Sequence, residues 1–167
     1  MDRPFIMIFF CFFWIMLTSA VFAKDRSSLP PNTEGTLNRM AKIHAKLQNI
    51  NLTYRRDVMP IFEKKCFDCH SGRTHYPFYY KLPFVRSMID ADITEARAAL
   101  DLSSEFPFGG HGLFSTDLPK IRLEIEEGEM PPFFYRVMHQ GSAVTEEERK
   151  RIFNWVDESQ KSLLQNF

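Results

Sequence analysis

The sequence of 167 residues has no excess of charge, because 21 basic and 21 acidic side chains cancel to a formal net charge of zero. A strongly charged domain would attract nucleic acid or an anionic membrane surface over a long distance. We therefore expect no nucleic acid among the partners, and recognition of any partner through a local patch. The length and the 44% of hydrophobic residues suit one domain with a core of its own.

Cysteine is also scarce. Of the three cysteines, Cys11 lies in an apolar N-terminal run, which leaves Cys66 and Cys69 for the rest of the chain. A structural zinc site usually needs a second pair of ligands at similar spacing, and no further cysteine can supply it. We find no internal repeat, and no nucleophile or acid–base pair that indicates a separate catalytic site.

The first 23 residues have the pattern of a secretory signal. Arg3 precedes an unbroken apolar run, and Val21 and Ala23 occupy the positions where a signal peptidase requires small residues. Cleavage after Ala23 is the favoured interpretation. The alternative is an uncleaved anchor, because the run from Pro4 to Ala23 is about as long as a membrane-spanning helix. Both interpretations predict that the remainder is exported.

The rest of the chain is predicted to be mainly α-helical with long loops. Residues 24–35 have the polar, Pro-containing composition of a linker, and residues 36–54 form a helical extension with apolar side chains at helical spacing. Residues 55–160 form the main domain. Its predicted helical segments are 57–70 with Asp57 as N-cap, 92–103, 118–128 ending at Gly128, and 145–164 with a capping box of Thr145 and Glu148.

The stretch "KKCFDCHSG", residues 64–72, contains two cysteines three positions apart and a histidine directly after the second, a pattern that indicates a chemical function. A thioredoxin-like dithiol expects a βαβ setting, and a disulfide between residues three apart closes a very short loop. Covalent attachment of a c-type haem agrees best with the pattern. In a helical turn Cys66 and Cys69 face the same way, so each can add to one vinyl group of a porphyrin, and His70 then lies beneath the iron as the proximal ligand.

A six-coordinate iron also needs a distal ligand. In "EGEMPP" a helix ends at Gly128, and two prolines stiffen the chain after Met130, which presents this thioether at low entropic cost. Met130 is therefore the first candidate. His111 in the Gly-rich loop "FGGHG" is the second, and His139 is the third. Ordinary core packing is the expected role of Met40, Met59 and Met88.

Several segments together resemble a family of small exported c-type haem-binding domains related to the class I cytochromes c. These are "DVMPIFEKKCFDCHSGRTHYPFYY", "DITEARAALDLS", "GEMPPFFYRVMH" and "TEEERKRIFNWVDES", which span about residues 55–158. The resemblance implies one covalent haem held by Cys66, Cys69, His70 and Met130 within a cytochrome c-like helical domain. An aromatic cluster without tryptophan at residues 78–80 and a longer "FGGHG" loop depart from the usual pattern.

The leading hypothesis is a mono-haem cytochrome c that transfers single electrons between redox protein partners in the periplasm. The membrane is a partner only if the N-terminal segment stays uncleaved. The alternative is a haem-based enzyme or sensor, peroxidase-like or gas-binding, with an open or displaceable sixth iron position. His111 would assist peroxide cleavage in that case. An electron carrier needs no substrate chemistry, so the first hypothesis is the simpler one.

Overall fold

The computed structural model describes residues 31–110 and 112–165, and it is mainly helical, as the sequence predicts. No β-strand occurs in these two ranges, and an antiparallel bridge pairs Asp101 with Gly109. The α-helices are α1 (Pro31–Thr53), α2 (Met59–Lys65), α3 (Phe67–His70), α4 (Pro83–Ala99), α5 (Phe114–Glu126), α6 (Phe133–Met138) and α7 (Glu146–Leu164).

The chain divides into two compact units, residues 1–40 and residues 41–167. The described part of the first unit is residues 31–40 of α1, and the side chains of residues 34–40 are exposed. The second unit contains the remainder of α1 and the helices α2 to α7. None of the helices within the described ranges is both long enough and apolar enough to cross a membrane.

Helix α1 begins at Pro31, so the last residues of the predicted linker 24–35 are helical. Proline is favoured in a first turn, where its missing N–H costs nothing. The predicted signal segment 1–23 and the rest of the linker lie outside the described residues. The predicted boundaries of the extension and of the main domain, 36–54 and 55–160, stay a prediction.

The segment after α1 differs from the single helix predicted for 57–70. A π-helical turn, Tyr54–Val58, links α1 to α2, so Asp57 lies inside a continuous helical run and is not an N-cap. The wider turn directs Tyr54 and Val58 into the core, where they are 1% and 0% exposed. Helix α2 then stops at Lys65, and Cys66 separates it from α3.

The core of the second unit is aromatic at its centre. Trp155 of α7 lies 5.5 Å from Tyr54 and 5.8 Å from Phe106 between ring centroids, and its indole N–H donates to the carbonyl of Ile50 at 3.3 Å. Phe62 of α2 packs edge-on against Tyr54. This cluster joins α7 to the helical run that leads into the Cys-x-x-Cys-His stretch. It therefore holds the helix that precedes that stretch in place.

Two predicted helix ends are confirmed. Gly128 adopts a φ of +75° just after α5, a conformation that glycine reaches without steric cost. Thr145 caps α7 by accepting the backbone N–H of Glu148, whose carboxylate accepts the N–H of Thr145 at 2.8 Å. These local signals are sufficient to end one helix and to start the other.

Candidate haem site

The Cys-x-x-Cys-His stretch forms one tight turn of helix. The backbone N–H of His70 donates to the carbonyl of Cys66 at 2.9 Å, and that of Cys69 donates to the same carbonyl at 3.2 Å. Cys66 has a φ of −125°, outside the helical range, which interrupts the helix between α2 and α3. The turn therefore stands as a separate short element that carries both thiols and the imidazole.

The ring of His70 is oriented by a backbone carbonyl. Its Nδ1 lies 2.9 Å from the carbonyl oxygen of Leu100, which can only accept, so Nδ1 carries the proton. Nε2 is then the unprotonated nitrogen, free to bind a metal. Burial lowers the pKa of His70, which favours the neutral imidazole that ligation requires.

A cavity opens beside this turn. It has a volume of about 130 Å³ and is partly open to solvent. Its wall brings together Cys66, His70 and Met130. Most of the other lining residues are apolar, among them Phe62, Leu102, Ile121, Ile125, Pro131 and Val144.

Met130 reaches this wall because of how α5 ends. After Gly128, the backbone N–H groups of Glu129 and Met130 both donate to the carbonyl of Glu124, at 3.0 and 3.1 Å. The chain thus turns back against the last turn of α5, and Pro131, which is buried, follows in the cavity wall. His70 and Met130, sixty residues apart in the sequence, come to one cavity.

Both cysteines are free thiols in the structure. Burial raises the pKa of Cys66 to about 12, and burial together with the charge of Asp68 raises the pKa of Cys69. Redox-active dithiols have lowered thiol pKa values. The environment is therefore unlike that of a thioredoxin-type centre.

The other predicted site residues lie elsewhere. Cys69 belongs to the same turn but is not among the residues that line the cavity, and neither is His139. The ring of His139 stacks on Tyr135, with centroids 4.1 Å apart. His111, the second candidate for the distal position, lies outside the described residues, so that assignment stays a prediction.

Two features of the cavity have no signal in the sequence pattern. Leu100 acts through its backbone carbonyl, which any residue could supply. Asp117 lies in the first turn of α5, is 4% exposed, and lines the cavity. Gly112 permits this position, because a Cβ at residue 112 would collide with a carboxylate oxygen of Asp117. An aspartate near a helix start is usually solvated, so its sequence context indicates a surface residue.

The donor set and the apolar wall fit a haem group. The donors are the imidazole of His70 with a free Nε2, the thioether of Met130, and the thiol of Cys66 on the same turn as His70. The haem-binding domain family matches residues 33–158. The chain belongs to this family. The predicted resemblance to small haem-binding domains is thus confirmed, and so is haem as the cofactor of this haem-binding domain.

One curated relative is cytochrome c peroxidase Ccp from Escherichia coli (strain K12), which is 29% identical over 96 residues. The match covers 56% of this haem-binding domain chain and 21% of the relative, so the chain spans about a fifth of that protein's length. No solved structure matches the chain. The activity in the relative's name is therefore a property of that longer protein.

Proposed function

We propose that this haem-binding domain is a mono-haem c-type cytochrome that transfers single electrons between redox protein partners. Cys66 and Cys69 would hold the haem covalently, His70 would be its proximal ligand, and Met130 its distal ligand. A bound haem iron would supply a one-electron ferric/ferrous couple. The observation that carries the proposal is the cavity wall that joins His70, its Nδ1 bonded to Leu100, to Met130.

The chain's own residues would set the properties of that couple. The Leu100 carbonyl holds the imidazole of His70 in one tautomer and one orientation, which raises the basicity of the ligand. The mostly apolar lining would favour the less charged iron state of a bound haem, and the thioether of Met130 would act in the same direction. The lining and the thioether would each raise the reduction potential, whereas a more basic imidazole would lower it.

The proposed location is the periplasm or another exported compartment. Its support is the sequence of residues 1–23, with the polar stretch that follows Ala23. Covalent attachment suits such a compartment, because the cofactor cannot then be lost by dissociation. If the segment is kept as an anchor, the domain would be held at the membrane surface.

The test of the proposed function is the absorption spectrum of Met130→Ala. We expect wild-type protein to show the red-edge band of sulfur-ligated ferric iron, and the variant to lose this band completely and to bind added cyanide readily. Covalent haem should remain, because the thiols and His70 are intact. Met138→Ala is the matched control, since Met138 is 60% exposed on α6 and is not in the cavity wall.

A different result would redirect the assignment. If His111 is the sixth ligand, Met130→Ala stays low-spin and only His111→Ala opens the site. A wild-type spectrum unchanged by removal of Met130 contradicts the methionine assignment.

A second candidate function is peroxide or gas-ligand chemistry at an open sixth position. Two observations favour it: the match to a cytochrome c peroxidase, and the buried carboxylate of Asp117 in the cavity wall. A carboxylate there could accept a proton from a bound peroxide. High-spin wild-type protein that binds carbon monoxide and turns over peroxide would support this function over electron transfer.

A further inference from the structure

Asp68 connects the haem-attachment turn to the segment that carries Met130. Asp68 lies within the Cys-x-x-Cys-His stretch, directly before Cys69, and Tyr135 lies five residues after Met130 on α6. The hydroxyl of Tyr135 donates to Oδ2 of Asp68 at 2.8 Å. The two residues are 67 positions apart, so this bond spans the site from its proximal to its distal segment.

The carboxylate of Asp68 is held in place by the loop that follows the attachment turn. Its Oδ1 accepts the backbone N–H of His75 at 2.9 Å, and the imidazole Nδ1 of His75 lies 3.1 Å from the same oxygen. The hydroxyl of Thr74 donates to the Asp68 carbonyl at 2.8 Å. Oδ2 therefore points in one fixed direction, toward Tyr135.

Tyr135 is equally constrained from its own side. It is half-buried, and its ring stacks on that of His139 with an interplanar angle of 18°. Nδ1 of His139 lies 3.1 Å from the carbonyl oxygen of Tyr135, which makes this nitrogen the donor. His139 thus contacts both the ring and the backbone carbonyl of Tyr135. These two contacts restrict where the hydroxyl of Tyr135 can lie.

The segment 130–135 is consequently tied at both ends. The bond from the N–H of Met130 to the Glu124 carbonyl anchors its start to α5, and the Tyr135 hydroxyl anchors its end to Asp68. A thioether is a weak ligand for ferric iron, so its occupancy depends on how firmly the protein holds it there. A tether from the attachment turn would supply that restraint.

We propose that Tyr135 is a positioning residue whose hydrogen bond to Asp68 keeps the Met130 segment closed over the haem site. The bond opposes the opening of this segment, and it therefore slows displacement of the Met130 sulfur by external ligands. This inference rests on the proposed function, because it takes Met130 as the distal ligand. It adds a residue that is not among those lining the cavity.

The test compares two Tyr→Phe variants of the holoprotein by the rate at which cyanide displaces the sulfur ligand. Tyr135→Phe removes the hydroxyl of the tether and keeps the ring that stacks on His139. Tyr80→Phe is the matched control, because the Tyr80 hydroxyl also donates to a carboxylate, that of Asp90 at 2.7 Å, without any link to segment 130–135. We expect displacement about tenfold faster in Tyr135→Phe, since a hydrogen bond to a charged group is lost from the closed state alone.

A double-mutant cycle adds a readout that general destabilisation would not give. If Tyr135 acts through Asp68, Tyr135→Phe combined with Asp68→Ala should displace no faster than Asp68→Ala alone. Asp68→Asn keeps an acceptor oxygen and should give an intermediate rate. These Asp68 variants also test the bond if Tyr135→Phe fails to mature.

The outcomes separate this inference from the proposed function. Equal displacement rates in Tyr135→Phe, Tyr80→Phe and wild-type protein, with the sulfur band present and lost in Met130→Ala, overturn the tether and leave Met130 as the ligand. A wild-type spectrum that Met130→Ala does not alter overturns the proposed function, and the tether falls with it. If displacement is faster in Tyr135→Phe but not in Tyr80→Phe, the result supports both the tether and Met130 as the distal ligand.

Discussion

Lys65, directly before the first attachment cysteine, is buried with a complete set of partners. Its Nζ donates to the carbonyls of Gly141 at 2.7 Å and Ala143 at 2.6 Å and lies 3.2 Å from a carboxylate oxygen of Glu148. A lysine beside a haem-binding motif would ordinarily be expected at the surface. Here it joins the end of α2 to the loop that precedes α7, so it supports the attachment turn from behind.

Lys65→Met should lower the free energy of unfolding by about 2–4 kcal/mol, because two carbonyls and one carboxylate lose their charged donor in a buried place. Urea unfolding of the holoprotein would measure this loss. Lys64→Met is the control, since Lys64 is exposed and its replacement should change stability by less than about 0.5 kcal/mol. Equal effects of the two substitutions would contradict the supporting role of Lys65.

At the scale of the helices, local signals predict ends better than they predict continuity. Thr145 with Glu148, and Gly128, are confirmed because caps and left-handed residues act within a few positions of the chain. The prediction of a single helix for 57–70 is wrong. A π-helical turn precedes α2 and an interruption at Cys66 follows it, and both depend on how the core packs. The buried side chains of Tyr54 and Val58 need the wider turn, and no short pattern encodes that need.

The start of α7 also predicts a pH dependence through Glu148. Partial burial opposes ionisation, but the N–H of Thr145 and the ammonium of Lys65 outweigh it and hold the pKa of Glu148 below its ordinary value. A carboxyl with a lowered folded-state pKa stabilises the protein fully above its unfolded pKa of about 4.3. This contribution is lost as the pH falls through the folded-state value.

The difference in unfolding free energy between wild-type protein and Glu148→Gln should therefore be constant near neutral pH and shrink below about pH 4.3. Urea unfolding at a series of pH values would measure it. Glu147→Gln is the control, because Glu147 is an exposed neighbour in the same helical turn. A difference that grows on acidification would show that the sign of this linkage is wrong.

For the molecule as a whole, the candidate haem site brings together side chains from several helices and loops. The cavity lies among side chains of α2, α3, α5 and the loops before α5, α6 and α7, and α4 has no buried residue of its own. Several apolar side chains of α4 and α6 are exposed, among them Phe84, Met88, Phe133, Phe134 and Val137. A haem bound in this cavity would supply part of the packing of the helices around it.

Loss of both thiols should therefore remove the cofactor and weaken the fold. We expect Cys66→Ala with Cys69→Ala to lose all haem staining after denaturing electrophoresis and to unfold at lower urea concentration than wild-type protein. Cys11→Ala should keep the stain, because Cys11 lies in the N-terminal run. A double variant that retains covalent haem would refute the c-type assignment.

The sequence by itself determined the helical class and the Cys-x-x-Cys-His stretch, and it predicts export from residues 1–23 and a short list of distal ligands. Each of these depends on residues that are neighbours in the chain or repeat with the period of a helix. Only the tertiary structure decided that the carbonyl of Leu100 orients His70, that Met130 shares a cavity wall with His70, and that Tyr135 bonds to Asp68. Such pairs lie 30 to 67 positions apart, so they form only when loops and core packing have brought their helices together, and no local periodicity records them.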